Sequence, residues 1–334
     1  MLLAMACVLA SYDLNRRAPP VRDKGLYIMF YNVENLFDTL DSDLDDDEFL
    51  PSSPRRWNSY KYYRKLHNIF KVIALCSDEM RAPDIIGLCE VENAVVLRDL
   101  CEKTYLRREN YDFIISDGRD QRGIKTALLF RQDKLGLISS ESWDPVDAEG
   151  KYMATRAVLY GRFQFMDDSL DIMVAHWPSR RGGVMASEAQ RKAVAAFTRE
   201  KADSLGAGRK LIIMGDLNDE PNSESVSQTL GAAAYTHGNA GLVNTASENN
   251  DARGTYKYQG LWYSFDQVIL SSSLFRADSG LNYAGESFRI VYEDALLTED
   301  LTYKGFRPFS TWWGYNYTGG FSDHLPVRLW LDYR

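Results

Sequence analysis

Leu211-Ile212-Ile213-Met214-Gly215-Asp216-Leu217-Asn218-Asp219 decides how this chain is organised. An unbroken apolar run of this kind reads as a strand covered on both faces, and it stops at a turn carrying a carboxylate and a carboxamide two residues apart. Near the end of the chain, Gly320-Phe321-Ser322-Asp323-His324-Leu325-Pro326 sets an acid beside an imidazole at another strand end. Asp and Asn delivered to the carboxyl edge of a buried strand, met by an Asp-His pair, can orient water, hold a divalent cation and neutralise a phosphate. The combination points to hydrolysis of a phosphate ester.

Outward from this stretch, residues 26–32, 83–90, 111–116, 123–131, 170–175, 264–270 and 327–331 read as strands, and 157–165 alternates like a half-exposed one. Leu66, Ile69, Phe70, Ile73 and Ala74 fall at helical spacing, which predicts a helix over 61–80. Further helices are predicted over 95–105 and 187–205. Strands outnumber helices, and the helices lie mainly between strand pairs. That pattern predicts two packed sheets flanked by helices in place of one doubly wound sheet. Residues 38–54, 231–254 and 292–319 read as loosely structured connections.

The 334 residues suffice for two average domains or one large α/β domain, and the spread of the motifs favours a single domain over 25–334. Hydrophobic residues at 45% and charged residues at 26% are ordinary for a folded protein, and no later segment is long and apolar enough to span a bilayer. A net charge of −8 removes any global positive field, so a polyanionic substrate must be met by local arginines and bound metal. Cys7, Cys76, Cys89 and Cys101 lack metal-site spacing and imply no disulfide framework. Residues 1–10 are apolar and lead into a polar stretch, like the h-region of an export signal without its basic flank. Residues 1–20 are therefore expected to be an export-signal remnant or an unstructured N-terminus, which leaves the compartment open between export (periplasm, envelope or medium) and cytoplasm.

Strand ends repeatedly carry catalytic types: Asn32, Glu90, His176, Asp216 with Asn218, and Asp323 with His324. Each alone is ordinary, because Asp and Asn favour such ends for local hydrogen bonding. Together they are economically read as converging on one pocket at the sheet edge. Glu90 could instead be a solvated carboxylate, with Glu92 two residues on. Asp266 could be a structural acid, His176 a packed turn histidine and Arg156 a salt-bridging side chain. Arg180-Arg181-Gly182-Gly183 makes a basic loop that could grip a second phosphate, or merely precede the next helix. The acidic run 41–48 reads as a solvated loop. Aromatic clusters at Trp57, Tyr60, Tyr62, Tyr63 and at Trp312, Trp313, Tyr315, Tyr317 could stack on a base or sugar, or fold on their own side chains.

Tyr31-Asn32-Val33-Glu34-Asn35, Gly87-Leu88-Cys89-Glu90-Val91-Glu92-Asn93, Gly215-Asp216-Leu217-Asn218, Phe265-Asp266 and Ser322-Asp323-His324 resemble, in order and spacing, the successive motifs of the endonuclease/exonuclease/phosphatase superfamily with its deoxyribonuclease-I-like fold. The resemblance implies a four-layer α/β sandwich and divalent-metal-dependent cleavage of a phosphate ester. It implies Glu90 as principal metal ligand, with Asn32 and Asp323 helping to hold Mg²⁺ or Mn²⁺, Ca²⁺ being a further candidate. Asp216 would position or deprotonate water, Asn218 would bind a phosphate oxygen, and His324, paired with Asp266 or Asp323, would face the scissile phosphate. His176 matches the other active-site histidine. Arg156 resembles a phosphate-contacting arginine, and Arg180 is a second candidate for that contact. Cys89 departs from the Gln of many members, and the mid-chain tyrosine and second acid are unmatched, with Asp120 and Lys125 as candidates in 117–125. The first expectation is a nuclease on DNA or RNA with no obligate protein partner. The second is a phosphomonoesterase, an inositol-phosphate phosphatase or a sphingomyelinase-like enzyme, and the third an inactive binding protein on the same fold.

Overall fold

The computed structural model describes residues 24–78, 81–235, 241–249, 251, 253–275 and 279–334. The expectation for residues 1–20 lies outside them. The principal strands are β1 (Gly25–Leu36), β2 (Ile85–Val91), β3 (Tyr111–Ile115), β4 (Lys125–Arg131), β5 (Gly136–Trp143), β6 (Val158–Phe165), β7 (Asp168–His176) and β8 (Leu211–Asp216). The first sheet runs Leu281–Tyr283, Val327–Tyr333, β1, β2, β4, β3, with Arg289–Ile290 added to the Val327–Tyr333 strand. The second runs β5, β6, β7, β8, Asp266–Ser271, Leu242–Asn244, Ala232–Ala233. Both sheets are mixed: β1 is parallel to β2 and antiparallel to Val327–Tyr333, while β8 is parallel to β7 and antiparallel to Asp266–Ser271.

The two sheets pack face to face, β1 and β2 against β7 and β8. Helices α1 (Ser59–Cys76) and α2 (Ala94–Lys103) pack on the first sheet, and α3 (Val184–Ser204) on the second. Strand periodicity explains the layering. Ile212 and Met214 enter the core between the sheets, while Leu211 and Ile213 join Val194, Ala195 and Phe197 beneath α3. A strand covered on both faces needs the continuous apolar run that β8 has. Burying each such side chain contributes about 1.5–3 kcal/mol. Close approach is enforced at two glycines: a Cβ on Gly215 would lie 2.0 Å from the Ala175 carbonyl oxygen, and one on Gly87 2.4 Å from Met214 Sδ.

Several elements depart from expectation. Helix α1 ends at Cys76, because Ser77 leaves helical geometry and Asp78 bridges to Arg81. Strand β6 is mostly buried, with Leu159 and Phe163 in one core and Val158 and Tyr160 in the other. Strand β5 lacks an apolar signal because it is an exposed edge. The connection 292–319 carries two short hairpins, Leu297–Glu299 with Phe306–Pro308 and Trp312–Trp313 with Asn316–Tyr317. Cys76, Cys89 and Cys101 are buried free thiols.

Candidate active site

Strand register assembles the site. His176 pairs with Asp216 across β7 and β8, and Asp216 pairs with Asp266 across the next strand, so three neighbouring strands bring these side chains into one row. On the facing sheet Asn32 pairs with Cys89. The ladder between β2 and β4 shifts between Cys89 and Val91, leaving Glu90 as an extra residue. Such a bulge re-aims a side chain: Cys89 and Val91 are fully buried, whereas the Glu90 side chain is 16% exposed. Glu90 takes φ +63°, and Glu34, Asn35 and Asn218 are also left-handed. Each such conformation costs on the order of 1–3 kcal/mol and persists only where surroundings hold it. Here the Asn35 amide donates to Glu90 Oε2 at 2.9 Å, the Glu34 amide to Asn32 Oδ1 at 2.9 Å, and the Asn218 amide to Asp216 Oδ1 at 3.0 Å.

Asp216 is the centre of the arrangement. Its Oδ2 accepts from Asn32 Nδ2 at 3.0 Å and lies 3.6 Å from His176 Nε2 and 3.7 Å from His324 Nε2. His324 Nδ1 meets Asp266 Oδ2 at 2.7 Å, so Asp266 is its partner of the two carboxylates considered. Burial opposes charge on His324, but Asp266 and Asp216 outweigh it and hold the imidazolium well above the ordinary range. His176 goes the other way: burial, then the charges of Arg156, Arg122 and His324, push it well below, and it is neutral. Burial pushes the Asp216 carboxyl up to about 7 against the pull of His324. One carboxylate thus sits between a charged and a neutral imidazole.

These groups open onto one cleft of about 630 Å³. Glu90, His176, Asp216, Asn218, Asp323 and His324 line it, so Glu90 and His324, far apart in sequence, share one cavity. Tyr256, Tyr258, Tyr263 and Phe265 supply an aromatic wall, and Tyr256 lies 4.8 Å from the His324 ring, centroid to centroid. Asn32 and Asp266 are buried directly behind Asp216 and His324.

The structure divides the remaining candidates. Arg180 lines the cleft, but its Nε binds the Asn218 carbonyl at 2.8 Å and its Nη2 binds Asp219 at 2.8 Å, so it clamps the Asp216–Asp219 turn. Arg156 is not on the cleft wall. It is buried, donates to the Trp177 carbonyl and faces Asp120 Oδ2 at 3.5 Å, because the Gly118–Arg156 bridge holds its backbone against the 117–125 segment. Lys125 Nζ donates to the Glu92 carbonyl at 2.6 Å, and the Glu92 carboxylate accepts from the Asp38 amide, which leaves Glu90 as the acid of that pair in the cleft. Asn32 directs Nδ2–H toward Asp216 and Glu90 while its Oδ1 caps the Glu34 turn; so placed, it orients two carboxylates and does not present an oxygen to a cation.

Two donor sets compete for a cation. Asp216, Asp266 and His324 have ligand atoms within 4.8 Å of one another, yet a charged His324 has no lone pair to give, and Asp266 Oδ2 is taken by its hydrogen bond, which leaves the buried Asp266 Oδ1 as its one unpartnered oxygen. Glu90, whose Oε2 already accepts from the Asn35 amide, and half-buried Asp323 are the remaining carboxylates that line the cleft. Burial raises the Asp323 carboxyl, His324 counters, and Glu90 adds a further upward push through like-charge repulsion. Hard oxygens crowded in this way suit a small divalent cation.

Glu34 and Lys65 were not singled out as functional by sequence. Lys65 Nζ binds Thr311 Oγ1 at 2.5 Å and the Phe321 carbonyl at 2.7 Å, and Glu34 accepts from the Thr311 and Trp312 amides. Together they fix the segment leading into Asp323 and His324. The available signals were a lysine on the apolar stripe of α1, between Tyr62 and Leu66, and a second acid two residues beyond Asn32.

The sequence profile described as the Endonuclease/Exonuclease/phosphatase family matches residues 27–333. No curated protein matches the sequence. Among solved structures, D. rerio TDP2 complexed with single strand DNA product shares 16% identity at a TM-score of 0.59, covering 92% of this chain and 99% of its own. The human Nocturnin catalytic domain with bound sulfate anion shares 16% identity at 0.55, covering 93% and 95%. A Bacteroides thetaiotaomicron mannosyl-6-phosphatase shares 17% at 0.57, covering 92% and 99%. At these identities the likeness is one of fold.

Proposed function

The chain belongs to the endonuclease/exonuclease/phosphatase family, whose members are phosphoesterases that use divalent metals, and on that premise we propose a divalent-metal-dependent phosphodiesterase acting on nucleic acid. The observation that carries the proposal is the meeting of Glu90, Asp216, Asp323 and the Asp266–His324 pair around one cleft. Glu90 and Asp323 would hold Mg²⁺ or Mn²⁺. When bound, the cation polarises a phosphoryl oxygen and offsets charge developing there. Asp216, once ionised, orients and deprotonates the attacking water, with Asn32 and the Asn218 amide fixing its two oxygens. His324, kept charged by Asp266, offers Nε2–H to the phosphate or leaving oxygen. Neutral His176 and the Asn218 side chain complete the polar floor, Asn218 being anchored through Nδ2 to the Trp177 carbonyl at 3.1 Å.

The test is hydrolysis of bis(p-nitrophenyl) phosphate and of a single-stranded oligonucleotide with Mg²⁺ or Mn²⁺. Asp216→Asn and His324→Ala should each lose at least about 10²- to 10³-fold in kcat, with folding intact, and EDTA should stop the wild type. Turnover that persists in chelator, or in either variant, refutes the assignment. The second reading, a sugar phosphomonoesterase, draws on the net charge of −8, which offers a long polyanion no general attraction. Mannose 6-phosphate in the same substrate panel separates the two.

A further inference from the structure

A second cleft of about 480 Å³ adjoins the catalytic one, and Arg122 and Arg181 line both. Asn35 also lines this second cleft, while its amide donates to the Glu90 carboxylate at 2.9 Å. The second cavity therefore begins one hydrogen bond from the acid assigned to the metal. Its charge runs against that of the chain. On a protein of net charge −8 it gathers Arg55, Arg122 and Arg181 against Asp45 and Glu48.

These charges are not equally committed. Arg55 is spent on Glu48 at 3.0 Å and on the Gly314 carbonyl at 3.1 Å. Among the described residues Arg122 pairs only with Asp120, at 3.7 Å, and its side chain is 46% exposed. Arg181 has no carboxylate within 4.0 Å among the described residues. Two guanidinium groups at the seam between the clefts thus keep open donors in a fork that matches phosphate oxygens, opposed by Asp45 on the cleft wall and by Asp120 beside Arg122, while Glu48 is held by Arg55. Tyr315, which is 62% exposed and backed by Arg55 at 5.0 Å, supplies a ring face on the same wall. Sequential phosphates with aromatic faces between them are what a single strand offers and needs.

We propose that Arg122 and Arg181 form a second phosphate subsite, which takes the phosphate next along the strand from the one being cleaved, with Tyr315 flanking the intervening nucleotide. The proposal rests on the phosphodiesterase reading and deepens it with a preference for substrates that carry at least two phosphates. Arg180, one residue from Arg181, does not share the role, since it faces Asp219.

The experiment compares wild type, Arg181→Ala and Arg122→Ala/Arg181→Ala on bis(p-nitrophenyl) phosphate, which has one phosphate, and on the oligonucleotide dT8. The double variant should raise KM for dT8 by about tenfold or more, with a smaller change on the one-phosphate ester, and should flatten the dependence of log KM on log salt by about 0.7, the slope of one phosphate that the protein no longer neutralises. Equal losses on both substrates, or an unchanged salt slope, overturn the subsite while leaving the hydrolase assignment standing. If wild type cleaves neither substrate, the phosphodiesterase reading has failed, and anisotropy of fluorescein-labelled dT8 in Mg²⁺ decides the subsite alone. Tenfold weaker binding by the double variant supports it, and equal binding overturns it. Fructose 1,6-bisphosphate serves as the small competitor: displacement of dT8 that depends on the two arginines and exceeds that by fructose 6-phosphate would assign the pair to small bisphosphates and overturn the strand.

Discussion

At the scale of single residues, the chemistry turns on one carboxyl between two imidazoles in opposite charge states. Burial raises Asp216 to about 7, and a cation in the cleft would add positive charge and draw it lower. A base must be ionised to work, so kcat/KM should rise with pH through a limb no higher than about 7. His324, held well above its ordinary range by Asp266 and Asp216 against burial, keeps its proton beyond that limb. Rate measured from pH 5 to 9 in saturating Mg²⁺ checks this; a limb above pH 8 would remove Asp216 as the base. Asp216, Asn218 and His324 stand out in the sequence because short, ordered motifs set them beside apolar strands, Asp216 ending β8 and His324 just preceding Val327–Tyr333. Arg156 was not, because nothing in a linear sequence distinguishes an arginine that meets substrate from one buried against Asp120 and a backbone carbonyl.

At the scale of elements, the bulge in β2 and the segment entering His324 do the positioning. The apolar runs of β1, β2, β7 and β8 announce themselves, since a two-sided strand must be continuously hydrophobic. A bulge leaves no such mark: Cys89-Glu90-Val91 reads as regular alternation, and only the register shift against β4 frees Glu90. Strand β5 and the hairpins of 292–319 were hidden for the opposite reason, being short or exposed and held by partners remote in sequence. The latter depend on Lys65 and Glu34. Burial pushes the Lys65 ammonium down and the Glu34 carboxyl up, and their mutual attraction opposes both shifts. Lys65 Nζ is the buried donor to the Thr311 hydroxyl and the Phe321 carbonyl, and leaving such a buried group unpaired costs about 1–3 kcal/mol. Lys65→Met should therefore destabilise by about that amount in urea unfolding, and Lys65→Met/Glu34→Gln should recover part of it. A loss under about 1 kcal/mol in the single variant would show that Thr311 and Phe321 are held without the lysine.

At the scale of the whole molecule, the site exists only where the two sheets meet. Asn32 and Glu90 come from one sheet, His176, Asp216 and Asp266 from the other, and Asp323 and His324 from the chain returning between them. A cation held there would brace the seam, and mass action makes that measurable. A ligand that binds only the folded state adds RT ln(1 + [L]/Kd), about 2.7 kcal/mol at one hundred times Kd. Without the cation, Glu90 and Asp323 share the cleft as like charges, and Glu90 adds to the rise that burial imposes on the Asp323 carboxyl against His324. Two outcomes follow from one cause. Wild type should melt several degrees higher in 10 mM Mg²⁺ than in EDTA, while Glu90→Gln should lose most of that increment and, in EDTA, melt at or above the wild type, because it has shed the repulsion but keeps an oxygen for the Asn35 amide. Differential scanning calorimetry of both proteins in both buffers is the measurement. A wild-type melting temperature indifferent to Mg²⁺, or a Glu90→Gln protein destabilised in EDTA, would mean that the carboxylates at this seam are held by the fold alone and await no metal.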